Sequence, residues 1–543
     1  MQFPSFPSLP ILARRACLAA CAIALLSAGP LRAAQPQPPL PQKGRVLSIG
    51  LASAITSLDP HYHVLTPNQN IAEHVFDTLI ARDPAQRLKP ALALAWKALA
   101  PDTWEFRLRP GVKFHDGSDF SAEDVKFSLE RPAQVGRSPS SFTIYTRSIA
   151  AVRVADPLTI VVRTHAPNPL LPAEIATIAI VSRLQARNAT TEDFNTGRAT
   201  VGTGPFRLVA WNRGDRVELR RNDDYWGAVP AWESVVFHLL PNSAARSAAL
   251  LSGGVQAIEQ VPTADLAHLR ARRDIRVVQA VSNRIMYLHL DSDRERTPQV
   301  RAADGGVLER NPLKDPRVRL AISKAINRAA LCTRVMEGMA VPAGQLMPEG
   351  FSGFDQNLPP EAYDPAGARR LLAQAGYPEG FRLTLHASSD RYINDREAAL
   401  AIAQMLTRAG IRTEVAALPS SVYFSRATQR EFSVMLFGWS ADTAELSSPL
   451  RALLATYDSA RGLGSSNRGR YSNPAFDQLL GRALASSDER SREILLKQAT
   501  RLAIGDLGII PLYHPVNTWA LRGALGYTPR SDERTYAQDM RPR

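Results

Sequence analysis

The chain has 543 residues, of which 45% are hydrophobic and 21% charged, with a formal net charge of +14. That length is too great for one core, so two or three lobes are expected, with forty prolines marking many loops and fixed turns. The basic residues are spread along the whole chain rather than clustered with aromatics on one element, which excludes a nucleic-acid binder; the surplus charge implies only a general affinity for anionic surfaces.

At the N-terminus Arg14-Arg15 precede Cys17 to Gly29, CLAACAIALLSAG. This stretch is shorter than the ~20 residues that span a bilayer and has the length of a secretory h-region. Residues 1–34 are therefore expected to be a signal peptide, cut near Ala33-Ala34, and 35–44 a proline-rich spacer. The paired arginines suit either export of the folded protein or an ordinary n-region. Leu18-Ala19-Ala20-Cys21 has the form of a lipoprotein box, but the arginines leave Cys21 almost no h-region, so lipid anchoring is not expected. Cys17 and Cys21 depart with the signal, and Cys332 then has no partner for an intrachain disulfide.

In the mature chain, 45–54 reads as a first strand and Leu58-Asp59-Pro60 as a turn. Residues 67–82 carry apolar side chains at Ile71, Val75, Phe76, Leu79 and Ile80, the spacing of one helix. His61 and His63, with His74 nearby, lack further ligands at metal-site spacing and are read as solvated. Trp104, Phe106 and Leu108 alternate with charged residues as a half-buried strand. Ser121 is the expected N-cap of a helix with Glu123 and Asp124 in its first turn.

Several of these segments together resemble a family. RPGVKFHDG from Arg109, VKFSLER from Val125, LDPHYH from Leu58, GTGPFRLVAW from Gly202, NDDYWG from Asn222, DPRVRLAISKAINRAAL from Asp315 and YDPAGARRLLAQAGYPEGF from Tyr363 are similar to segments of the periplasmic solute-binding proteins that serve dipeptide, oligopeptide and nickel ABC importers. The resemblance implies a two-lobed α/β periplasmic-binding-protein fold of type II, cluster C, with an extra subdomain inserted in the first lobe. It implies lobe I over 45–83, 201–283 and 509–543, the inserted subdomain over 84–200, and the ligand lobe over 284–508. It also implies periplasmic residence, a monomer, a small-molecule or short-peptide ligand, and an inner-membrane ABC permease as partner.

The second half reads consistently with an α/β lobe. Asp315 and Asp364 each precede a proline at the first helical position, and Gly376 and Gly410 stop helices. Phe381–Ser388, 411–417 and 432–437 read as strands of a parallel lobe, separated by helices over 397–409 and 421–430. Two helices follow between Asn473 and Gly505, then a strand over 509–514. The apolar run Val434 to Phe437 is expected to end at Gly438-Trp439. If Phe381–Ser388 and this run are parallel neighbours, Arg391 and Asp442 emerge at one edge. That edge offers a bidentate cation for a carboxylate and an acid for an ammonium.

The resemblance implies the same roles: Gly438, Trp439 and Asp442 match a segment whose acid holds a peptide N-terminus, and Arg391-Tyr392 match a carboxylate-binding segment. After Asp442 the sequence runs Thr443-Ala444-Glu445-Leu446, without the proline that often follows in peptide binders. Tyr423 is a further candidate for the cleft wall. No catalytic, metal or cofactor motif is found, and Cys332 is read as a buried, inert thiol. The expected function is capture of a short peptide or peptide-like zwitterion by hinge closure. A metal chelate or other solute is the alternative, and a secreted hydrolase the more distant one.

Overall fold

A computed structural model describes residues 45–543 except Arg137, Pro139, Asp442 and Arg543. The expected signal peptide and spacer therefore lie outside the described residues. The largest sheet has two parts joined by shared strands. In the first, Val46–Leu51 pairs in parallel with Ser234–Leu239 and Ala257–Glu259. In the second, Arg284–Leu290 pairs antiparallel with Val434–Ser440, and Phe381–Ser388 lies parallel to both Val434–Ser440 and Ile411–Leu418. The second part is thus mixed rather than wholly parallel, because Arg284–Leu290 and Val300–Ala302 enter it antiparallel. A separate four-stranded antiparallel sheet is built from Ala93–Ala100, Thr103–Leu108, Ile149–Asp156 and Thr159–Thr164. It covers its own core of Phe106, Val125, Ile160 and Ile178.

Two chain passages join the parts of the large sheet. Ile275–Val281 and Arg284–Leu290 are separated only by Ser282-Asn283. The strand Ile510–Arg522 pairs with Arg284–Leu290 through its first residues and with Ile275–Val281 from Val516 onward. It is buried along almost its whole length, as strands covered on both faces are.

The helix caps fall where the sequence puts them. Asp315 accepts from the Arg317 amide and Asp364 from the Gly367 amide, and Gly376 and Gly410 adopt φ of +93° and +103°, conformations that favour glycine. Two expectations are corrected. The first helix spans Thr66–Val75, and Leu79-Ile80 belong to a core that includes the short strand Ile80–Arg82, because Phe76 turns to an extended conformation. His61 and His74 are not solvated: both are fully buried. The ring of His61 bonds the Ala179 carbonyl at 2.8 Å and that of His74 the Asn70 carbonyl at 2.7 Å. Burial holds both rings down to about 4, so they are neutral at physiological pH.

Candidate functional site

The parallel pairing of Leu385 with Val434 and His386 with Met435 brings two strands to one edge. Beyond Ser388, the chain is pinned by Asp395 at the head of the helix Asp395–Arg408. Its Oδ2 accepts from Ser388 Oγ at 2.7 Å, from the Arg391 amide at 3.1 Å and from the Tyr392 amide at 3.2 Å. This one carboxylate fixes where Arg391 and Tyr392 stand. Tyr392 then crosses to the neighbouring strand and donates its hydroxyl to the Gly438 carbonyl at 3.1 Å. Gly438 makes the approach possible, since a Cβ there would lie 2.7 Å from Met286 Sδ and 2.8 Å from the Tyr392 ring.

Two guanidinium groups face the Tyr392 ring: Arg391 at 5.1 Å and Arg284 at 5.5 Å from its centroid. Arg284 is bound by Glu533 (Nε–Oε1 2.6 Å, Nη2–Oε2 2.8 Å). No carboxylate among the described residues forms an ion pair with Arg391. Burial and the neighbouring Arg284 charge both pull its guanidinium below the ordinary value. A cavity opens here, walled by Arg391, Tyr392, Arg284, Glu533, Glu259 and Trp519. A smaller one shares Arg391, Glu259 and Glu533 and reaches Ser53 and Asn70. Glu259 comes from the first part of the sheet, and its oxygens accept from the Ala52 amide and Thr535 Oγ1.

The structure brings Arg391, Tyr392 and Gly438 together. Trp439 is placed apart: strand alternation sends its side chain to the opposite face, beside the Met435 and Phe437 core, where it lines a third cavity with Thr443, Arg147, Glu174 and Arg451. The strand also runs on to Ser440 instead of ending at Gly438, because Arg284 and Ile285 continue the pairing. Tyr423 is fully buried, and its hydroxyl donates to the Leu436 carbonyl at 2.8 Å. No part of it is left for a solute. Asp442 lies outside the described residues. Glu445, the nearest following acid, is engaged by Ser447 and by Arg492 at 3.5 Å.

Sequence reasoning missed Arg284, Glu259 and Glu533. Arg284 follows the Ser282-Asn283 break, a signal that could have flagged it; Glu533 sits in a polar tail with nothing local to distinguish it. Among the described residues no group of three His, Cys, Asp or Glu is placed to hold a metal ion, and no helix is long and apolar enough to cross a membrane.

A family model, "Bacterial extracellular solute-binding proteins, family 5 Middle", matches residues 87–461. The glutathione-binding protein GsiB of Escherichia coli K12 is 29% identical over 474 residues, covering 86% of this chain and 88% of that one. The solved structure of the ABC transporter-associated periplasmic binding protein DppA from Helicobacter pylori, in complex with the peptide STSA, superposes with a TM-score of 0.78 at 26% identity, covering 91% of this chain and 97% of that one. NikZ from Campylobacter jejuni, in complex with Ni(L-His), shares the fold with a TM-score of 0.76 at 21% identity, covering 91% and 99%.

Proposed function

The chain belongs to the bacterial extracellular solute-binding proteins, family 5, and on that premise we propose that it captures a short peptide or peptide-like zwitterion in the periplasm and delivers it to an ABC permease. The observation that carries the reading is Arg391, a fixed cation set in a cavity wall with no ion-pair partner among the described residues. Its planar fork matches a carboxylate. Asp442 supplies the anion for the solute's ammonium. GsiB, glutathione-binding by name, and DppA, solved in complex with a peptide, support a peptide-like solute.

Capture works by closure. Lobe I, carrying Glu259, and the ligand lobe, carrying Arg391, are joined through Ser282-Asn283 and through the strand around Pro515. Rotation at those passages opens and shuts the cleft, and a solute touching both sides favours the shut form. An ion pair inside such a cleft gives specificity more than raw affinity, because desolvation offsets much of the attraction.

Native mass spectrometry of gently purified protein tests the reading: an intact peptide-like mass is the expected passenger. Calorimetry with that solute follows. Arg391→Ala and Asp442→Ala are each expected to weaken binding by roughly two to three decades, from the ~3–5 kcal/mol cost of an uncompensated buried charge. Unchanged affinity in both variants sinks the assignment. Cleaved peptide would favour a hydrolase, and nickel–histidine recovered in place of peptide would favour a chelate carrier.

A further inference from the structure

The third cavity has a different character from the one around Arg391. Arg147 and Glu174 come from the segment carrying the four-stranded sheet, and Trp439, Thr443 and Arg451 from the opposing side. Its carboxylate is already engaged. Glu174 Oε1 accepts from Arg451 at 2.8 Å, while Oε2 accepts from Asn168 Nδ2 at 2.8 Å and Ser148 Oγ at 3.3 Å. As a unit this pair is neutral.

What remains unmatched are donors. Arg147 forms no ion pair among the described residues, and its guanidinium lies against Gly462, where any Cβ would overlap it. Trp439 Nε1 and Thr443 Oγ1 are buried without a hydrogen-bond partner. An indole N–H can only donate, and a guanidinium offers donors and no acceptor. An exposed cation on one wall and two buried, unpartnered polar groups on the facing wall suit an anionic acceptor, and a carboxylate between them satisfies all three.

We infer that this cavity receives a second carboxylate of the solute, so that the carried class is acidic peptides and their analogues rather than neutral dipeptides. This rests on the peptide-like reading above. Gly438, which Tyr392 touches from one face, and Trp439, which lines this cavity from the other, are consecutive residues. The inference requires the solute to pass around that strand end, from the face of Tyr392 to the face of Trp439.

The test is calorimetry with Ala-Glu and Ala-Gln, which differ only in the second carboxylate. The wild type is expected to prefer Ala-Glu by about tenfold or more, the scale of a charge-assisted hydrogen bond. Arg147→Ala should collapse that ratio toward one, Arg147→Lys should restore part of it, and Trp439→Phe, which keeps an aromatic ring and loses the N–H, should lower it. Equal binding of the two peptides by the wild type, or a ratio untouched by Arg147→Ala, overturns the second-carboxylate site and leaves the peptide reading standing. If neither these nor any other peptide binds, the peptide reading itself fails and takes this inference with it.

Discussion

Glu533 grips Arg284 with both carboxylate oxygens, at 2.6 and 2.8 Å, and Ser282 donates to the same carboxylate at 3.1 Å. The pair ties the C-terminal segment to the first residue after a chain passage between the two parts of the sheet, and both side chains are nearly buried. Glu533→Gln removes the bidentate carboxylate from this guanidinium, at a cost of about 1.5–3 kcal/mol, the scale of a hydrogen bond to a charged group, and the thermal midpoint should fall. Burial raises the Glu533 carboxyl, but the charge and hydrogen bonds of Arg284 outweigh it and hold the group below its ordinary value. Its contribution is therefore present above the unfolded carboxyl value of about 4.3 and is lost as pH falls through the lower folded value. The difference between wild type and Glu533→Gln should shrink in acid; a constant difference from pH 3 to pH 8 would refute the assignment.

Gly438→Ala places a methyl group where Met286 Sδ, the Tyr392 ring and Arg284 Cδ already stand, at 2.7, 2.8 and 3.1 Å. The expected cost is about 1–3 kcal/mol. Tyr392 must swing away, so solute affinity should drop along with stability. Retained affinity in a destabilised Gly438→Ala protein would show that Tyr392 does not help to shape the Arg391 wall.

Glu174 and Arg451 join elements of separate cores, one under the four-stranded sheet and one beneath Phe437 and Leu453. Glu174→Ala removes this strap and leaves Arg451 facing the cavity unpaired. Small-angle X-ray scattering of the solute-free variant should give a larger radius of gyration than wild type. Identical scattering would mean that the contact does not bias closure.

Asp77 accepts from Trp226 Nε1 at 2.8 Å, Thr203 Oγ1 at 2.9 Å and Tyr225 at 3.2 Å. Burial still dominates and pushes its carboxyl up to about 6. A raised carboxyl value means that the folded state holds a proton the unfolded state releases, so stability declines as pH rises from about 4 to about 6. Relative to Asp77→Asn, the wild type should lose ground across that window, read by urea denaturation at each pH. A flat difference would exclude the proton.

Cys332 is 2% exposed, and burial pushes its thiol up to about 12. It should stay unreactive toward a thiol-specific dye in the native protein and become reactive only in denaturant.

Much of the architecture was legible because it is encoded locally. Phe381–Ser388 reads as a strand from alternation and forms over those residues, and the Asp-Pro helix starts and glycine stops follow from backbone chemistry that needs no distant partner. The misreadings share a cause. The cover over His61 comes from Ala179, 118 residues away in sequence, and the partner of Arg284 lies 249 residues on. The extension of the strand past Gly438 is imposed by its neighbour at 284–285. Arg391 and Tyr392 were legible because they follow a readable strand; Glu259 and Glu533 reach the cavity wall only through tertiary folding.

The strand Ile510–Arg522 comes after all the strands it pairs with, between residues 257 and 342. Until it emerges from the ribosome, the large sheet has unclosed borders on both sides of the future cleft, open to mispairing. Synthesis and maturation are thereby coupled: a polypeptide halted before residue 510 leaves Ala257–Glu259, Ile275–Val281, Arg284–Leu290 and Ala340–Pro342 each short of a neighbour, and the two halves are joined only when that last ribbon is threaded in.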